Sequence, residues 1–299
     1  MTEEILGFLQ NNVVEYTRET SLSKLSFVKI GGAADIVAYP ESEQKLISLI
    51  EVLTKNDIGY IILGRMSNVL PTKEYYSEAI IRTDHMDEFR VEGNNVIASA
   101  GISLPRLSKI FAEASLSGFE ELSGIPGSLG GAIRGNAGAY GREISDMLTL
   151  IRVYDPYKRE IYDVRPLELD FGYRKSSVGC KGLIVLSAHI RGVHSDFDTI
   201  SSYMRSIASK RRSSQPVEKP SLGSVFKRPG EDICPWKLIS DAGLRGYRVG
   251  DAQISEKHSG FIVNLGKATA KDYLSVVEQA EKLVSEKYGI NLEREFEIM

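Results

Sequence analysis

The sequence predicts a mixed α+β chain in which strands come in clusters rather than in regular alternation with helices. Three observations carry that expectation. Short apolar runs bounded by turn residues recur along the chain. Two longer segments, 41–56 and 269–288, carry apolar residues at helical spacing. No stretch repeats a strand–helix–strand unit, and the 299 residues suffice for two or three packing units.

Taken in order, "DIVAYP" (35–40) is a strand closed by proline, and the helix over 41–56 sets Leu46, Ile50 and Leu53 on one face. "YIILG" (60–64), "EAIIRT" (78–83) and "NVIASAG" (95–101) are strands. A helix follows with Leu104, Leu107, Phe111 and Ala114 in phase and Gly118 as its stop. "LIRVYDP" (150–156), "EIYDV" (160–164) and "LIVLSAHIRG" (183–192) return to strand character, and Pro156-Tyr157-Lys158 turns the first pair. Residues 197–212 are helical, 213–221 form a linker or extended arm, and "GFIVNLG" (260–266) is a strand. Thr269 and Asp272 form a capping box for the last helix. Its stripe is Tyr273, Val276, Ala280, Leu283 and Tyr288, and Gly289 ends it before a closing strand, "INLEREFEIM".

Composition narrows the function classes. The net charge of -3 argues against a nucleic-acid surface. Cys180 and Cys234 fit neither a disulfide framework nor a zinc site, and the four histidines lack metal-ligand spacing, so no metal is expected. No apolar run reaches membrane-spanning length, and the acidic "MTEEILGFLQ" lacks a signal-peptide pattern; a cytoplasmic protein is expected.

The densest anomaly is "GIPGSLGGAIRGNAGAYG" (124–141), with seven glycines in eighteen residues. It has neither the Rossmann glycine spacing nor a P-loop. Turn amides left bare by glycine can still cradle a phosphate, with Ser128 and Asn136 as polar groups beside them. Ile125, Pro126, Leu129, Ile133 and Tyr140 supply packing groups. Two readings stand on the residues alone: a cofactor-binding loop, or a structural loop where backbones pack closely.

"SGIPGSLGGAIRGNAGAYG" resembles the flavin-binding signature of the UDP-N-acetylenolpyruvoylglucosamine reductase (MurB) family. "SFVKIGGAADIVAYPES", "GYRKSS", "RRSSQPVEKPSLGSVFKRP", "LISDAGLRGYRVGDAQISEKHSGFIVNLG" and "YGINLEREFEI" follow in the family's order, so the resemblance covers nearly the whole chain. It implies a vanillyl-alcohol oxidase/PCMH-type FAD-binding fold in two subdomains plus a C-terminal α+β substrate-binding domain. The expected divisions are 1–64, with 291–299 returning to it; 65–195; and 196–290. The implied activity reduces the enolpyruvyl ether of UDP-N-acetylglucosamine to UDP-N-acetylmuramate with FAD and NADPH, in peptidoglycan precursor synthesis. The chain resembles the shorter family type, without the extra tyrosine-bearing loop, and a monomer or weak homodimer is expected. A flavin oxidase of the same fold and a non-catalytic nucleotide-sugar-binding paralogue are the alternatives.

Carried over by motif, Ser224 in "GSVFKRP" is the proton donor, Arg174 in "GYRKSS" binds the substrate carboxylate, and Glu295 in "LEREFEI" is the catalytic glutamate. As bare residues they read as a turn serine, a surface arginine and one of three alternating glutamates, 293, 295 and 297, that pattern cannot separate. Tyr173, Lys227, Gln253 and Lys257 are the substrate candidates. The flavin candidates are Gly64, Arg65, Ser67, Asn68, Gly124, Pro126, Gly127, Ser128, Gly130, Gly131, Asn136, Gly138 and Ala139. One departure stands out. Where the family has "GGGSN", this chain has Gly64-Arg65-Met66-Ser67-Asn68. If the backbone keeps positive φ there, Arg65 and Met66 carry strain, and Arg65 gains a route to the FAD pyrophosphate.

Overall fold

The computed structural model describes residues 2–230 and 232–299. They form two compact units built from separated segments: residues up to 19, 35–65 and 77–209 in the first, and 20–34, 66–76 and 210–299 in the second.

The first unit holds two layered cores. In one, helices Glu3–Asn11 and Glu43–Lys55 cover a sheet of four strands in the order Glu15–Ser21, Ala33–Tyr39, Tyr75–Arg82, Tyr60–Leu63. Ser42 caps the second helix by accepting from the Lys45 amide at 3.3 Å, and Leu46, Ile50 and Leu53 are all buried as their spacing requires. The first helix was not anticipated; its Ile5 and Leu9, on one face, are fully buried. The other core lies under an antiparallel sheet of five strands: Glu160–Val164, Leu148–Asp155, Ile184–Arg191, Asn95–Ser99, Phe89–Glu92. Helix Leu104–Glu113 brings Leu107 and Phe111 to this core, each side chain contributing about 1.5–3 kcal/mol by burial.

The second unit is a four-stranded antiparallel sheet, Ser221–Ser224, Phe261–Asn264, Ala252–Ile254, Arg248–Val249, with helix Ala270–Tyr288 among its core elements. The capping box is present: Thr269 Oγ1 accepts from the Asp272 amide at 3.1 Å and Asp272 accepts from the Thr269 amide at 2.9 Å. Gly289 closes the helix at φ 66°. The final segment is less regular than expected. Only Glu297–Ile298 is strand, pairing in parallel with Val69–Leu70. Just before it, residues 293–295 run beside 225–227: the Lys227 amide donates to Glu293 O and the Glu295 amide to Val225 O, both at 2.8 Å.

Candidate active site

The glycine-rich segment is not an open loop. Its middle is a helix, Leu129–Gly135, capped by Ser128, whose Oγ accepts from the Gly131 amide at 3.4 Å. The amides expected to be bare at 129 and 130 are taken: Leu129 N–H donates to Ile102 O at 2.9 Å and Gly130 N–H to Ala100 O at 2.8 Å. Gly127 O in turn accepts from the Leu104 amide at 3.0 Å. These bonds knit the segment to the chain around residues 100–104. Gly124 and Pro126 lie half-buried just ahead of the helix.

Asn136 ends the helix in the left-handed region at φ 43° and is fully buried. Its amide hydrogens go to Glu143 Oε2 at 2.7 Å and Gly172 O at 2.9 Å, and its oxygen accepts from the Ser145 amide at 3.3 Å. The buried Asn136 side chain thus makes three internal hydrogen bonds. Gly138–Ala139 then pairs with Arg142–Glu143 across Tyr140 and Gly141, both at positive φ, as a tight two-residue hairpin turn requires.

The same unit holds Arg174. Mutual backbone bonds at 3.0 Å between Gly172 and Lys175 close a tight turn, with Tyr173 and Arg174 at its tip. Arg174 sits at φ 53°, a position glycine or asparagine normally fills. Its Nη2 donates to Gly138 O at 2.8 Å, its Nη1 lies 3.9 Å from Glu143 Oε1, and its guanidinium stands 4.9 Å from the ring of half-exposed Tyr173.

Gly64 is glycine for lack of room: a Cβ would fall 2.1 Å from Ser128 Oγ. This close approach joins the Gly64–Asn68 loop to the glycine-rich segment at a residue that also caps a helix. Beside it, Arg65 Nε is buried without a hydrogen-bond partner. A buried cationic donor lacking an acceptor is costly alone and suits an anionic group such as a diphosphate. The residues at this junction therefore fit a flavin dinucleotide. The expected strain at 65 and 66 falls on one residue only: Met66 has φ 52° and Arg65 is not in the left-handed region. Met66 belongs to the second unit and is 2% exposed.

In the second unit, Ser224 ends its strand just after an irregularity in the pairing of Ser221–Ser224 with Phe261–Val263. Gly223 takes φ 81° with open space where a Cβ would be, so backbone conformation, not crowding, requires glycine there. The result is an exposed serine. The 293–295 segment beside it separates the three glutamates. Glu293 is exposed and pairs with Lys227 Nζ at 2.6 Å, and Glu297 is exposed within the final strand. Glu295 is half-buried, and its backbone carbonyl accepts from Asn68 Nδ2 at 3.0 Å. Ser224 and Glu295 thus lie on neighbouring segments, while Arg174 belongs to the first unit.

The substrate candidates are held by their own neighbours. Gln253 Nε2 donates to Gly246 O at 3.2 Å, and Lys257 Nζ reaches Arg212 O and lies 3.7 Å from Glu218. Sequence reasoning passed over His258. Its ring lies 5.7 Å from Trp236 and 5.0 Å from Phe261, its Nδ1 accepts from the Gly260 amide at 3.1 Å, and burial lowers its pKa.

Residues 215–299 match the UDP-N-acetylenolpyruvoylglucosamine reductase C-terminal domain, and residues 34–158 match an FAD binding domain. The UDP-N-acetylenolpyruvoylglucosamine reductase of Caldicellulosiruptor bescii is 38% identical over 98% of this chain and 93% of its own. That of Caldanaerobacter subterraneus is 41% identical over 95% of this chain and 93% of its own. The crystal structure of the Thermus caldophilus enzyme superposes with a TM-score of 0.80 at 34% identity, covering 95% of this chain and 98% of that one. The chain is an α+β oxidoreductase with an FAD-binding domain, and it belongs to the UDP-N-acetylenolpyruvoylglucosamine reductase family.

Proposed function

We propose that this chain reduces the enolpyruvyl ether of UDP-N-acetylglucosamine to the lactyl ether of UDP-N-acetylmuramate, with NADPH as reductant. It acts in the cytoplasm, as a monomer or weak homodimer, in peptidoglycan precursor synthesis. Within the proposal, residues 1–64 and 65–195 are the flavin subdomains and 196–290 the substrate domain. FAD, when bound, supplies the hydride. Gly64, Arg65, Ser67 and Asn68 would hold it together with the 124–139 segment, Arg65 supplying a charge-assisted donor to the diphosphate.

The chain's own groups then meet two needs. Charge builds on the substrate carboxylate as hydride adds to the β-carbon, and the Arg174 fork stabilises it. A proton must reach the α-carbon, and the Ser224 hydroxyl donates it. A hydroxyl is a weak acid, so it serves only a strongly basic carbon. Glu295, on the segment beside Ser224, takes the third role. Tyr173, Lys227, Gln253 and Lys257 bind the nucleotide and its carboxylate.

The observation that most favours this reading is the Ser224 setting: an exposed hydroxyl turned out by Gly223, on a segment flanked by half-buried Glu295. Ser224→Ala is expected to lower turnover of the enolpyruvyl nucleotide at least about 100-fold while NADPH still bleaches the flavin. Unchanged turnover removes Ser224 from the mechanism.

A further inference from the structure

The geometry points to Glu143 as the positioning residue for Arg174, set in place by Asn136; this rests on the role proposed for Arg174. Four observations within the first unit carry it. The Glu143 carboxylate reaches both groups: Oε2 accepts from Asn136 Nδ2 at 2.7 Å, and Oε1 faces Arg174 Nη1 at 3.9 Å. The other amide hydrogen of fully buried Asn136 goes to Gly172 O, in the turn that carries Arg174. One buried side chain therefore fixes both the backbone of the arginine and the anion facing its guanidinium.

Gly138 completes the array. Its carbonyl accepts from Arg174 Nη2 at 2.8 Å, and a Cβ on it would fall 2.6 Å from Arg142 O and 3.0 Å from Glu143 Cγ. Glycine at 138 is what lets Glu143 come close. Finally, Arg174 sits at φ 53°, a conformation its own chain does not favour, so surrounding bonds must hold it. A guanidinium bonded to a carbonyl and facing a carboxylate is oriented by the protein before a ligand carboxylate meets it.

Glu143→Gln keeps the size and the acceptor for Asn136 but removes the charge. In the FAD-loaded protein we expect kcat with the enolpyruvyl nucleotide to fall about 10–100-fold, with KM and FAD affinity little changed. In an Arg174→Ala background the same substitution is expected to add nothing. Wild-type kcat in Glu143→Gln, or a loss that multiplies with that of Arg174→Ala, overturns the assignment. Phenylglyoxal labelling of Arg174, read by peptide mass spectrometry, separates this from failure of the proposed reaction. Faster labelling in Glu143→Gln supports the array even if neither protein turns over the nucleotide, and equal labelling in the two overturns it.

Discussion

Met66 offers the sharpest test of the altered Gly64–Asn68 loop. It is a buried methionine, 2% exposed, at φ 52°. Truncation to alanine removes a packed side chain, a loss of about 2–5 kcal/mol, and leaves the backbone strained. Truncation to glycine removes one carbon more and loosens the unfolded chain, together about 1–2 kcal/mol. It also relieves a left-handed penalty of about 1–2 kcal/mol. These last two terms cancel, so Met66→Gly is expected to match Met66→Ala in stability to within about 0.5 kcal/mol, with both below wild type. Urea unfolding followed by tryptophan fluorescence is the assay. Trp236, the sole tryptophan, lies in the same unit as Met66 and reports that unit. An alanine variant more stable than the glycine variant by over about 1 kcal/mol, as at an unstrained site, would refute a left-handed Met66.

Three further outcomes are expected. Gly64→Ala pushes Ser128 Oγ from a position 2.1 Å away from the new Cβ, loses the helix cap at about 0.5–2 kcal/mol, and weakens FAD binding; in a Ser128→Ala background its effect on melting temperature shrinks. Lys227→Met changes stability by less than about 1 kcal/mol because the Glu293 side chain it pairs with is 73% exposed, yet raises KM for the nucleotide. His258 has its pKa lowered by burial, so the unfolded chain takes up a proton first as pH falls below about 6.5. Its contribution to stability is full above that value and is lost on acidification toward the lower folded pKa. Trp236 fluorescence, 5.7 Å from the imidazole, should follow that titration with a midpoint below 6.5, and a midpoint above it would contradict the burial effect.

Much of the fold was legible where local signals agree. Leu46, Ile50 and Leu53, and Thr269 with Asp272, place two helices because stripes and caps are local. The 129–135 helix was not legible. Its glycines disfavour helix, and what holds its first turn is a pair of carbonyls, Ala100 and Ile102, distant in sequence. Glu143 left no signal either, since its partners lie seven residues before it and thirty-one after it. The glycines proved to have several separate reasons. Gly64 makes room for Ser128, Gly138 for Glu143, and Gly223 supplies a backbone angle. Composition alone marks all three as one kind of residue.

The central claim is that this chain binds FAD and passes reducing equivalents from NADPH to an enolpyruvyl nucleotide. The most direct measurement is the visible spectrum of the purified, FAD-supplemented protein under anaerobic conditions. A bound-flavin spectrum that NADPH bleaches, and that UDP-N-acetylglucosamine enolpyruvate restores, is the result expected. A protein that retains no flavin, or a bleached flavin that the nucleotide leaves reduced, would contradict it.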